Sequence, residues 1–267
     1  MNISSLITIA LIGSGVTAQA ATLNYYYDFN GLNGALPSLN TNNLAGTAAG
    51  GALFTNPSGS SWINYTNGYE GLGYDSHTGG GQLTLGSSGN KLGLNTDTGF
   101  SLSLAVKDFS PGQNQSTATY GKLLTFTSSS NQTLLLQKDL ENGATTNAGP
   151  WAAYAGSNIG NWANLTISRT SFSSLIITFQ AGTLNIYLDG QKKISATGVA
   201  FSGDVDSLRL ANNASVTMDD LQLYSGVLSS EEIAALAANP ALPVPEPATA
   251  ALSLAGLSLL GLRRRRI

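Results

Sequence analysis

The stretch SLIITFQAGTLNIYLDGQKKIS, residues 174–195, decides the fold class. Leu175, Ile177 and Phe179 recur at every second position, Leu184, Ile186 and Leu188 do the same, and Asp189-Gly190 follows at once. Period two places alternate side chains on one face of a strand. Asp-Gly after such a run is a two-residue hairpin signal, because both residues tolerate the positive φ that the tight turn demands. Working outward, Tyr25, Tyr27 and Phe29 share a face, as do Leu102, Leu104 and Val106, and Leu208 and Leu210 open a late strand. Many short alternating runs between turn residues predict an all-β, two-sheet antiparallel sandwich. The composition agrees, with only 10% charged residues and 31 Gly in 267 residues.

One helix is signalled near the end of this body. Ser229-Ser230-Glu231-Glu232 reads as a capping box with Ser229 as N-cap and Glu232 at N3; Ile233 and Leu236 follow at helical spacing, and Asn239-Pro240 ends the run. No repeat of fixed period and no domain linker precedes Asn239.

The two ends read as processing segments. Residues 1–20 carry an apolar run from Ile3 to Ile12 and then Ala18-Gln19-Ala20, an A-x-A signal for removal of a secretory leader before Ala21, although the leader has no Lys or Arg. Residues 243–267 hold Pro245-Glu246-Pro247, fifteen mostly apolar and small residues at 248–262, and Arg263, Arg264, Arg265 and Arg266. As a helix those fifteen residues extend about 22 Å, short of the roughly 30 Å hydrocarbon core. The terminal arginines favour the cytoplasmic side, so the body is expected outside. This tail resembles the PEP-CTERM sorting signal. The resemblance implies a hydrophobic C-terminal helix that anchors the chain in the membrane before processing, and an exosortase-type enzyme as partner. The expected location is the cell envelope, the cell surface or the medium.

Within residues 21–240 the succession YYYDFNG, GFSLSLAVKD, NWANLTISRT, LNIYLDGQKKIS and VTMDDLQLYSGVLSSEEIAALA resembles the laminin G-like, concanavalin A-like jelly roll. The closing segment is the most specific part. In that family Trp162 falls where a core-edge Trp is usual, which implies a structural role for it.

Several chemistries are excluded. The chain has no Cys, so disulfides, thiol catalysis and cysteine metal sites are absent, and its single His, His77, is expected in a solvated loop. Net charge is −3 although four of the twelve basic residues are the terminal arginines. The body is therefore acidic, has no basic stripe, and is not expected to bind nucleic acid. Glycosidases of this fold place two Glu on one strand with an Asp between them, because retention needs two carboxyls about 5–5.5 Å apart. No E-x-D-x-E occurs. The body has only Glu70, Glu141, Glu231 and Glu232, the last two explained by helix capping, and Asp204-Val205-Asp206 reads as solvated turn. G-x-S-x-G, phosphate-loop and H-E-x-x-H motifs are also missing, and Gly71-Leu72-Gly73 is a fragment of a dinucleotide fingerprint with no helix after it.

The expectation is a noncatalytic module that binds glycan or protein at the cell surface. The alternatives are a divergent carbohydrate-active enzyme and a purely structural surface protein. At Asp219-Asp220 the alternation slips, since Val216 and Met218 point one way and Leu221 and Leu223 the other; a β-bulge would restore the phase. Related jelly rolls bring this strand beside the opening one, so Asp28 and Asp219 form a candidate Ca²⁺ site; a bulge carboxylate that accepts backbone N–H bonds is the alternative. For a sugar, the candidates are the aromatics Trp62, Tyr65, Tyr69 and Tyr74 in one region and Trp151 with Tyr154 in another.

Overall fold

The computed structural model describes residues 21–29, 64–67, 69, 70, 72–76, 83–89, 91–108, 121–138, 151–159, 165–212, 214 and 216–244. With strands numbered in chain order, the first sheet runs β13 (Gln191–Ala196), β12 (Thr183–Leu188), β11 (Ser173–Gln180), β6 (Phe100–Asp108), β15 (Val216–Ser225), β3 (Leu72–Asp75) and β2 (Asn64–Asn67). Its eighth strand, β1 (Thr22–Tyr27), also pairs with β15. The second sheet runs β10 (Ser157–Asn158), β9 (Trp151–Ala155), β8 (Thr133–Lys138), β7 (Lys122–Ser128), β14 (Asp204–Asn212) and β4 (Leu83–Gly86), with β5 (Leu94–Asn95) also on β14. Every pairing is antiparallel.

The alternating residues fill the space between the sheets. Leu102, Leu104, Val106, Leu175, Ile177, Phe179, Leu184, Ile186 and Leu188 from one sheet join Phe126, Leu208 and Leu210 from the other in one buried cluster. Phe100 opens β6 and lies 5.6 Å from the Phe179 ring and 5.1 Å from the Phe126 ring, which ties the sheets together. Each such side chain contributes about 1.5–3 kcal/mol by leaving water.

The predicted hairpin forms: Asp189 and Gly190 have φ of 52° and 75°, and Leu188 pairs with Gln191. Ala181 and Gly182 make a second turn of this kind between β11 and β12, with φ of 46° and 74°. The expected bulge is present on β15, where Asp219 is opposite Ala105 but Gln222 is opposite Ser103, so one residue is extra. Asp220 takes it up with a φ of 50°. Val216, Met218, Leu221 and Leu223 consequently all face the core.

The outer face of the first sheet carries a second cluster. Ile176 and Tyr224 are covered there by Ile233 and Leu236 of α1 (Ser230–Ala238), together with Ala21, Leu228 and Val244. The capping box is as read: the Ser229 hydroxyl accepts the Glu232 N–H at 3.2 Å, and the Ser229 N–H donates to Glu232 Oε2 at 2.7 Å. Asn239 caps the other end.

One reading is corrected. Asp204 and Asp206 are not in a turn but on β14, where Lys91 lies 2.8 Å from the first and 3.8 Å from the second. Lys91 and the side-chain amide of Asn95, 2.9 Å from Asp204, hold the half-exposed first carboxylate, while Asp206 Oδ1 is buried with no hydrogen-bond partner. No helix among the described residues is long and apolar enough to cross a membrane. The leader, the sorting motif at 245–247, the apolar run at 248–262, Arg263 to Arg266, Trp62, His77 and Trp162 lie outside the described residues.

Candidate functional site

The bulge carries two carboxylates on β15, an interior strand flanked by β6 and by β1 and β3, and both are completely buried. Asp219 Oδ2 accepts the backbone N–H groups of Tyr69 at 2.8 Å and Glu70 at 3.2 Å, and its Oδ1 accepts the Asp220 N–H at 3.0 Å. Asp220 Oδ1 accepts the Tyr26 hydroxyl at 2.8 Å, while its Oδ2 has no hydrogen-bond partner. β1 delivers Tyr26 and then Asp28 to this place, since Tyr27 pairs with Leu221 just beyond the two aspartates. Asp28 is buried too.

Burial favours the neutral form of each acid. It pushes Asp219 up to about 8, helped by the neighbouring Asp220 and opposed by the three backbone N–H bonds. Burial likewise pushes Asp220 up to about 6, against the pull of the Tyr26 hydroxyl, with Glu70 and Asp28 adding to the rise. The Tyr26 hydroxyl is raised by burial and then by its bond to Asp220.

This donor set fits a backbone clamp better than a cation. Asp219 meets three N–H groups, whereas calcium demands oxygens presented without competing donors. Among the described residues no three His, Cys, Asp or Glu side chains are grouped to hold a metal. Asp28 and Asp219 are thus brought into one buried neighbourhood, yet the Asp219 oxygens are committed to the turn at residues 69 and 70.

The clamp presents an aromatic pair. Tyr69 is 39% exposed and meets Phe172 edge-on, with ring centroids 6.2 Å apart at 87°. Lys107, at the end of β6, places its Nζ 5.0 Å from the centre of the Phe172 ring. An exposed ring, a second ring that fixes its angle, and a cation beside them form a surface on which an apolar sugar face can stack. Glu70, also exposed, adds an acceptor.

The other aromatic candidates fall elsewhere. Tyr74 and Trp151 are corrected as platform residues: both are among the largest completely buried side chains, and neither shows a face to solvent. Tyr65 stands on β2 in register with Tyr74. Tyr154 is half-buried on β9, in the second sheet and apart from Tyr69. Phe172 and Lys107 carry no signal in the sequence, because a lone Phe before a strand and a Lys at a strand end are ordinary there. A separate open cavity of about 290 Å³ is lined by Thr178, Gln180, Ala181, Thr183, Asn185 and Val227.

Two antiparallel sheets stacked on a common core, with a short capped helix over the outer face of one, define a concanavalin A-like sandwich. Residues 77–234 match the family model described as the concanavalin A-like lectin/glucanases superfamily, of laminin G type, and the chain belongs to that superfamily. Residues 243–266 match the PEP-CTERM protein-sorting motif, which implies export to the cell envelope or surface and processing by an exosortase-type system. Among solved structures, the chain is similar to domain 4 of AbnA, a GH43 extracellular arabinanase from Geobacillus stearothermophilus, solved in complex with arabinotriose. The TM-score is 0.55 at 20% identity, over 82% of this chain and 99% of that one. A sialidase of Trypanosoma rangeli in complex with sialic acid matches with a TM-score of 0.50 at 17% identity, over 65% of this chain and 28% of that one. At such identities the likeness is one of fold. No curated protein matches the sequence.

Proposed function

We propose that this protein is an exported, noncatalytic sandwich module that binds glycan at the cell surface through Tyr69, Phe172 and Lys107. The observation that carries the reading is the exposed Tyr69 ring on a turn whose backbone the buried Asp219 holds. Stacking on a fixed ring loses little conformational entropy on binding, which is how a small platform gains affinity. A noncatalytic role is supported by the carboxylates. The adjacent pair Asp219 and Asp220 is sealed from solvent, so neither can flank a glycosidic bond.

The test is a glycan array probed with residues 21–244, including arabino-oligosaccharides because domain 4 of AbnA was solved with arabinotriose. Wild type is expected to select a defined glycan and Tyr69→Ala to lose it, while neither releases reducing sugar from that glycan. Equal binding by both proteins would remove the platform; release of sugar would favour a divergent carbohydrate-active enzyme.

A further inference from the structure

The domain keeps hold of its chain up to Val244, the residue before Pro245-Glu246-Pro247. After α1, residues 239–244 lie against the outer face of the first sheet as a short strap. Three side chains buried on that face meet the strap. Gln222 Nε2 donates to the Pro240 carbonyl at 2.6 Å, the Tyr26 hydroxyl lies 3.0 Å from the Ala241 carbonyl, and Tyr224 packs with Val244 in one buried cluster. The Tyr224 hydroxyl donates in turn to Gln222 Oε1. The strap closes on itself as well: Ala241 N–H donates to Asn239 Oδ1 at 3.1 Å and Leu242 N–H to the Asn239 carbonyl at 3.3 Å. Val244 is 8% exposed, inside the cluster of Ile176, Tyr224, Leu228, Ile233 and Leu236. Ala21, the first residue after the expected leader, belongs to the same cluster. Both processing junctions therefore meet at one small patch, 223 positions apart in sequence.

Sheet formation alone does not require this arrangement. Gln222 and Tyr224 are fully buried, and their polar atoms find their partners in the strap and in each other. Buried polar groups left without partners are costly, so the face is built to be covered by a peptide in this position. An enzyme that cuts at a peptide motif needs the chain on either side of it free to enter its active site. Here the chain on the amino side is docked through Val244, with Pro245 next. We propose that residues 239–244 form a latch, held by Tyr26, Gln222 and Tyr224, whose release from the sheet limits processing at the Pro-Glu-Pro motif. Folding then sets the order of events: a domain that has not formed this face leaves its tail unlatched, and a folded one presents it only when the latch opens. When opening and closing are fast, the rate of cutting follows the open fraction.

The full-length chain tests this in two readouts. Hydrogen exchange in detergent should show the Val244 and Leu242 amides protected in wild type. Tyr224→Phe removes the hydroxyl that fixes Gln222, which holds the Pro240 carbonyl, and keeps the ring that packs with Val244. It should speed exchange at Val244 about tenfold, the equivalent of about 1.4 kcal/mol in local opening, while amides of β6 and β11 keep their protection. Gln222→Leu is the second variant. In cells that carry the exosortase-type system, pulse-chase processing at the motif should accelerate by a similar factor in both. An unprotected Val244 amide in wild type overturns the latch, and opened straps with an unchanged processing rate overturn its role in processing.

Discussion

Asp219→Asn probes the bulge most sharply, because it changes one atom and almost no volume. A carboxyl group can accept at both oxygens, and here both do so: Oδ2 takes the N–H groups of Tyr69 and Glu70, and Oδ1 that of Asp220. An asparagine must put an NH₂ at one end, whichever way it flips. The less costly choice keeps the carbonyl on the turn and sets the NH₂ against the Asp220 N–H, in a region fully closed to water. One buried donor then loses its acceptor, which costs about 1–3 kcal/mol. For a domain of roughly 220 residues, a loss of about 2 kcal/mol lowers Tm by about 4–8 °C. Calorimetry at pH 7 reads this directly, with urea unfolding to show that the slope is unchanged. A Tm within about 1 °C of wild type would show that Asp219 does not hold the turn.

Other consequences are open to measurement. Asp219 and Asp220 have folded-state values raised above the ordinary aspartate value, to about 8 and about 6, so the fold keeps protons that the unfolded chain has lost. Their contribution is complete below the unfolded value near 4 and is lost as pH rises through 6 and then 8; Asp220→Asn should remove about 1 kcal/mol of the stability lost between pH 5 and 8, read by urea unfolding. Ala181→Gly, at a φ of 46°, should raise stability by up to about 1 kcal/mol, and a lower Tm would contradict the strained turn. Lys91→Ala breaks an exposed pair with Asp204 and should leave the urea midpoint where it is in wild type; a clear fall would mean that the pair is shielded from solvent. Millimolar Ca²⁺ or a chelator should leave Tm unmoved in wild type and in Asp28→Ala; a calcium-dependent rise lost in Asp28→Ala would mean that the acidic cluster takes a cation after all.

The sandwich was legible because its signal is local. Alternation in β11 and β12, Asp189-Gly190 and the capping box each depend on residues close in sequence. The bulge was legible too, since Val216, Met218, Leu221 and Leu223 cannot share one face without an extra residue between them. The aromatic candidates were less so. Tyr74 sits in a run that looks like loop, yet pairing of β3 with β15 buries it, and Trp151 follows Gly149-Pro150 yet opens β9 with its ring in the core. Tyr69 carried the right chemistry, but its partners did not announce themselves: Phe172, Lys107 and Asp219 reach it from three separate strands or their flanks. Asp204 and Asp206 looked like turn residues for the same reason, because Lys91 is more than a hundred positions away. Contacts made by long-range pairing have no local pattern to read.

The place where a glycan touches the surface decides whether Tyr69, Phe172 and Lys107 form the platform. An NMR titration of the folded domain with the oligosaccharide that the array selects would follow every backbone amide at once. Shifts are predicted to gather at Tyr69, Glu70, Lys107 and Phe172. Shifts that gather instead around Thr178, Gln180 and Asn185, with the Tyr69 turn unmoved, would contradict the platform.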